Sequence, residues 1–157
     1  MREVIASDEV GKIVRYAGFW RRLAAYIIDS IVAGIVAYFV AVVGTLLIGL
    51  PSGEQFEDLG LTIATIWICI SGLVAPWLYW ALMESSNRQA TLGKRALGII
   101  VTDIEGRRIS FGRATARYWA KIISALTLLI GFIITGFTSR KQALHDIISN
   151  CLVVVKQ

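Results

Sequence analysis

From Ile31 to Leu50 no charged residue occurs, about the ~20 apolar residues a helix needs to cross a bilayer. Two ionisable residues precede this run, Arg22 and Asp29. Seven residues is close to two helical turns, so the pair shares one helix face, roughly 10 Å apart along the axis. An acid at membrane depth costs a few kcal/mol unless it is paired or wet. Another part of the chain is therefore expected to meet that face.

The rest of the chain repeats the pattern. A second apolar run, Leu61 to Met83, is long enough to span, and Pro76 is expected to kink it by removing one backbone donor. A third, Ile122 to Phe137, reaches only about 24 Å and either crosses or re-enters, with re-entry slightly favoured. With 56% hydrophobic residues and a mean hydropathy of +0.67, 157 residues are too apolar for a soluble domain. The expected class is an all-α membrane protein with two transmembrane helices and a third short apolar segment. A small cytoplasmic layer of short strands and interfacial helices completes it.

Charge sets the orientation. The net charge of +5 comes from basic residues lying between the apolar runs rather than in one patch, which speaks against nucleic-acid binding. Residues 54–58 carry only acids, whereas 84–121 hold eight Lys and Arg against three acids. Basic loops stay cytoplasmic, so the N-terminus and this segment are expected inside, in a multi-pass arrangement. The first run exceeds a signal-peptide core and is expected to remain as an anchor.

These features divide the chain into a polar tail over residues 1–18 and a membrane domain over 19–157. The domain holds helix one at about 22–50, helix two at about 61–84 and a basic segment at 85–121. The apolar segment follows at about 122–137 and a C-terminal segment at 138–157. The tail is expected to be poorly ordered, becoming an interfacial helix near Phe19-Trp20. Ala33, Ala37 and Ala41 form a row of small residues that lets another helix approach.

Within the basic segment, Thr91 can cap a short helix ending near Gly98. Residues 98–103 read as a strand, 104–107 as a turn and 108–110 as a return strand; Ser110 can cap the next helix. The C-terminal Cys151-Leu-Val-Val-Val-Lys is a second strand, with 99–101 its most plausible mate. Arg113, Arg117 and Lys121 recur at i+4 and make a basic stripe. With Lys94 and Arg95 they are expected to meet lipid headgroups, the bilayer's anionic headgroups being the predicted partner.

The candidate charge network comprises Arg22, Asp29, Glu84 and His145. Three readings stand for Arg22 and Asp29: anchoring at the interface, a structural clamp that ties the first helix to the C-terminal segment, or an ion or proton site. His145 can titrate near neutral pH as a sensor or relay, or simply cap and pack at a helix end. Glu84 either faces these charges or is a solvated helix terminus. Gly93-Lys94 is no phosphate loop, because position 88 is Arg and no Ser or Thr follows the lysine. Cys69 and Cys151 have no second ligand at metal spacing, and no nucleophile–base pair is recognisable. No cofactor, metal or enzymatic activity is expected.

Gly18-Phe-Trp-Arg-Arg-Leu-Ala-Ala-Tyr-Ile-Ile-Asp29, Gln89-Ala-Thr-Leu-Gly-Lys-Arg-Ala-Leu-Gly98 and Arg140-Lys-Gln-Ala-Leu-His-Asp146 occur in that order. With Val101, Gly106, Phe111 and Arg117, they resemble the RDD family of small bacterial membrane proteins. The resemblance implies that the family's arginine is Arg22, with Arg21 the adjacent candidate, and that its aspartates are Asp29 and Asp146. Asn150-Cys151 departs from the family, which often has a Thr shortly after the last Asp.

The resemblance places the protein in the bacterial inner (plasma) membrane and implies a transport-related role. Some members are linked to sodium/proton exchange. Asp29 is then the best site candidate, shaped by Arg22 and Asp146. Three helices hardly enclose a pathway, so exchange requires a homo-oligomer or a larger membrane partner. The alternative is a non-catalytic scaffold or accessory module binding anionic lipid or a partner membrane protein.

Overall fold

The computed structural model describes residues 5–7, 13–48, 57–126, 138 and 140–156. Two strands open it, β1 (Ile5–Ser7) and β2 (Ile13–Arg15), followed by α1 (Phe19–Ile48) and α2 (Glu57–Ser85). Then come α3 (Leu92–Ala96), β3 (Ile99–Asp103), α4 (Phe111–Leu126), α5 (Leu144–Ile148) and β4 (Cys151–Val155). The chain forms two compact units. One comprises residues 1–29 and 80–157, the other residues 30–79.

Phe19–Leu47 (mean hydropathy 2.3) and Asp58–Ser85 (1.9) are long and apolar enough to cross a membrane. Both begin earlier than the sequence pattern indicated, because Phe19–Arg21 and residues 57–60 already take helical geometry. Helix α2 continues through Pro76, whose ring nitrogen cannot donate to the preceding turn. Within the second unit, the Trp67 Nε1–H donates to the Ala41 carbonyl at 3.1 Å. A side chain at Gly44 would collide with the Trp67 ring, so this glycine is needed for close approach.

In the first unit β3 and β4 pair antiparallel, with Val101 opposite Val153 and Asp103 opposite Cys151. Ile99, Val101, Cys151 and Val153 are fully buried and form its apolar centre. The mate expected for β4 is the one it takes. Residues 108–110 form no strand; the β3 N–H groups not bonded to β4 are taken instead by the Gln89 carbonyl (from Val101, 2.7 Å) and the Arg107 carbonyl (from Asp103, 2.9 Å). The Asp103 side chain closes the intervening turn by accepting from the Glu105 and Arg107 N–H groups, at 3.0 and 2.7 Å.

Among the described residues of the N-terminal tail, backbone pairing reaches β4. β1 and β2 pair antiparallel, Tyr16 bridges Val154, and the Ala17 N–H donates to the Val153 carbonyl at 2.9 Å. Ser110 caps α4 as anticipated, accepting from the Arg113 N–H at 3.3 Å. That helix runs without a break from the basic segment into the start of the third apolar run. Residues 127–137, on which the choice between crossing and re-entry depends, lie outside the described residues.

Candidate functional site: a buried charge cluster

α1, α2, α3, α4 and α5 each bring at least one charged side chain into the interior of the first unit. α4 supplies the centre. Arg117 lies on the helix face shared by Ala114, Ala120 and Ser124, all buried, and is itself 2% exposed. Small neighbours leave room for the guanidinium to reach inward, where it bridges two acids. Its Nε and Nη2 donate to Asp146 Oδ1 at 2.9 and 2.6 Å, and its Nη1 donates to Glu84 Oε2 at 2.7 Å.

Each acid has further partners. Asp146 Oδ2 accepts from Arg22 Nη1 and from the Ala143 N–H at 3.1 Å, so the carboxylate also satisfies the start of α5. Glu84 Oε1 accepts from Lys94 Nζ, and Lys121 Nζ lies 3.6 Å from the same oxygen. Arg22 anchors its own Nε on the Ala17 carbonyl at 2.9 Å. Its Nη2 is buried with no hydrogen-bond partner among the described residues.

Asp29 occupies a different corner. Its Oδ1 accepts the Gly93 N–H at 2.7 Å and its Oδ2 accepts the Thr91 hydroxyl. Thr91 sits at the N-cap position of α3 but makes no cap bond of its own. A carboxylate from α1 therefore satisfies the backbone donor that a capping side chain would otherwise serve. Gly93 permits this: a Cβ there would run into the Ala25 carbonyl and lie 3.0 Å from Asp29 Cγ and Oδ1.

The electrostatics follow from burial set against pairing. Burial alone would raise the Asp146 pKa, but Arg117, Arg22 and His145 hold it well below the usual carboxylate range. Burial would lower that of Arg117, which Glu84 and Asp146 more than restore. Burial pushes Lys94 down despite Glu84. Lys121 is lowered by burial to about 7; Glu84 opposes that shift, while Lys94 and Arg117 add to it. Its ammonium also lies 5.1 Å from the Trp80 ring centroid and 6.0 Å from that of Tyr118.

His145 is lowered by burial to about 3, with Asp146 opposing the shift and Arg117, Lys121 and Arg22 adding to it. The imidazole is neutral at pH 7. Its Nδ1 lies 3.4 Å from Ser124 Oγ and its Nε2 3.5 Å from Asp146 Oδ1. Fully ionised, Arg22, Lys94, Arg117 and Lys121 against Asp29, Glu84 and Asp146 give 4 − 3 = +1.

The structure thus gathers Arg22, Glu84, His145 and Asp146, and sets Asp29 on α3. It selects Arg22 rather than Arg21, which is exposed, as the cluster's arginine. The expected headgroup set divides. Arg95 and Arg113 are exposed, whereas Lys94, Arg117 and Lys121 turn inward, because Glu84 and Asp146 need counter-charge that lipid cannot supply there. Sequence reasoning missed the central role of Arg117 and the Thr91–Gly93 seat for Asp29. The available signal was an arginine on the small-residue face of its helix. Among the described residues no group of three or more His, Cys, Asp or Glu is placed to hold a metal ion.

The family model described as RDD family matches residues 16–150. A Bacillus subtilis (strain 168) protein named uncharacterized protein YxaI is 34% identical over 148 residues, covering 89% of this chain and 97% of its own. A second from the same strain, uncharacterized membrane protein YteJ, is 29% identical over 146 residues, covering 88% and 80%. No solved structure matches.

Proposed function

Since the chain belongs to the RDD family and is a membrane protein with two candidate spans, we propose a non-enzymatic, transport-related role. The reading is cation/proton exchange by a homo-oligomer, multi-pass in the bacterial plasma membrane with its N-terminus cytoplasmic. One observation carries it. Lys121 is the surplus cation of an otherwise balanced buried cluster, with its ammonium 3.6 Å from Glu84 Oε1.

When Lys121 releases its proton, the charge it presented to Glu84 disappears. A monovalent cation can take that place against the carboxylate, and reprotonation of Lys121 expels it. One proton exchanges for one cation, and the net charge of the cluster is restored. Asp29 is not the exchanging group in this scheme, because its donors are a hydroxyl and a backbone N–H, neither of which gives up a proton near neutral pH. The two candidate spans among the described residues enclose no pathway by themselves, so copies combine in this reading.

The test is flux in reconstituted vesicles containing a pH-sensitive dye. Wild type should couple an imposed cation gradient to proton movement. Lys121→Arg keeps a cation beside Glu84 but holds its proton permanently, so flux should vanish while folding persists. No flux in wild type, or undiminished flux in Lys121→Arg, would overturn the exchange reading.

The second reading is the scaffold or accessory module. It is favoured by the saturation of all three carboxylates, each of which accepts from at least two donors. That is the arrangement a structural clamp needs. A wild type that folds, keeps the cluster and moves no protons would leave this reading in place.

A further inference from the structure

The amphipathicity of α4 is inside out. Its inward face carries Arg117, most of Lys121 and Ser124 among Ala114 and Ala120. Its outward face presents Phe111 (40% exposed), Trp119 (40%) and Ile122 (43%), which fall within one broad stripe at helical spacing. A helix in contact with water does the reverse. The neighbouring short helices repeat the inversion. α3 buries Lys94 and exposes Leu92, while α5 buries His145 and Asp146 and exposes Ile147 and Ile148.

A further observation bears on what covers α4. The exposed stripe leads directly, by sequence, into the apolar run that begins at Ile122. Apolar and aromatic side chains continuous with such a run match the upper acyl region of a bilayer. Arg113 lies on the opposite side of the helix, with Arg117 and Lys121, its Nη1 3.8 Å from Asp103 Oδ2.

We propose that the outward face of α4 lies against the upper acyl chains of the bilayer, with Phe111, Trp119 and Ile122 turned towards lipid. The buried cluster then sits under a helix that is held from one side by ion pairs and from the other by lipid. This assignment is independent of exchange, since it requires residence in a membrane and no flux.

The full chain is placed in nanodiscs of phosphatidylcholine and phosphatidylglycerol, with or without bromine on the upper acyl carbons. The emission of Trp119 is read as wild type minus Trp119→Phe, a change that keeps the edge-to-face ring contact with Tyr118. Brominated lipid should quench most of that difference, and aqueous iodide little of it. Quenching by iodide but not by brominated lipid would place the face in water. Quenching by neither would show it covered by protein, such as a second copy. Either result overturns the proposal.

Discussion

Arg117 holds Asp146 through two nitrogens on a single oxygen, with Nε at 2.9 Å and Nη2 at 2.6 Å from Oδ1. The two residues lie 29 positions apart, one on α4 and the other on α5, and the same guanidinium reaches Glu84 on α2. A planar fork with donors in several directions can do this; a single ammonium cannot.

Arg117→Met should therefore be the most damaging single change in the cluster. It removes one cation and takes two hydrogen bonds from buried Asp146 and one from buried Glu84. Breaking a buried pair from one side costs about 3–5 kcal/mol. Arg117→Lys should recover part of that loss and not all of it. Both comparisons are made by unfolding of the detergent-solubilised protein. A loss under about 1 kcal/mol for Arg117→Met, the scale of an exposed pair, would show that the bridge contributes little.

Arg22 and Asp146 are expected to be energetically coupled. They lie 124 residues apart in sequence and meet directly, which ties the start of α1 to α5. Arg22→Gln and Asp146→Asn should each destabilise, and the double variant should lose less than their sum, with coupling on the order of 1–3 kcal/mol. Additive losses would mean that no clamp joins these two segments.

The charge pattern explains what was legible beforehand. Long uncharged runs announce bilayer-length helices, because few other environments accept them; α1 and α2 follow. β4 was legible from a short apolar run, Leu152 followed by the β-branched Val153, Val154 and Val155, with one compatible mate in β3. Arg22 and Glu84 stood out as charges at the edges of apolar stretches, and Asp146 through the family resemblance. The inward turn of Arg117 and Lys121 was not legible. Spacing at i+4 fixes that Arg113, Arg117 and Lys121 share a broad side of a helix; it does not say which side faces the protein. That depended on acids from α2 and α5, brought close only by the fold. The same limit applied to Thr91, whose position suggested a cap while its hydroxyl was claimed by Asp29 of α1.

Stability should rise with pH across two windows. Lys121 has a pKa of about 7 in the folded protein against an ordinary 10.5, so between these values the unfolded chain binds more protons. Unfolding free energy then increases with pH, by up to about 1.4 kcal/mol per pH unit from one group. The penalty for burying the ammonium is fully present below about 7 and gone above 10.5. His145, lowered to about 3 from 6.5, acts with the same sign, so stability falls as pH drops through that interval. Unfolding midpoints from about pH 3 to 10 check both. Lys121→Met should flatten the upper window and His145→Gln the lower. An upper slope that survives Lys121→Met would assign it to another group.

The seat of Asp29 makes the sharpest geometric prediction. Gly93→Ala adds a methyl group where the Ala25 carbonyl and the Asp29 carboxylate already stand, and overpacking of this kind costs about 1–3 kcal/mol. Thr91→Val keeps the shape and removes a donor, leaving Asp29 with an unmet acceptor at a cost of about 1–3 kcal/mol. Thr91→Ser restores the hydroxyl and should restore most of the stability. If Asp29 serves only to seat α3, Thr91→Val will lower thermal stability while any proton flux measured below the unfolding temperature stays at the wild-type level. Flux that instead falls in step with the loss of the Thr91 hydroxyl, in protein that is still folded, would return Asp29 to the centre of the exchange chemistry and displace Lys121 from it.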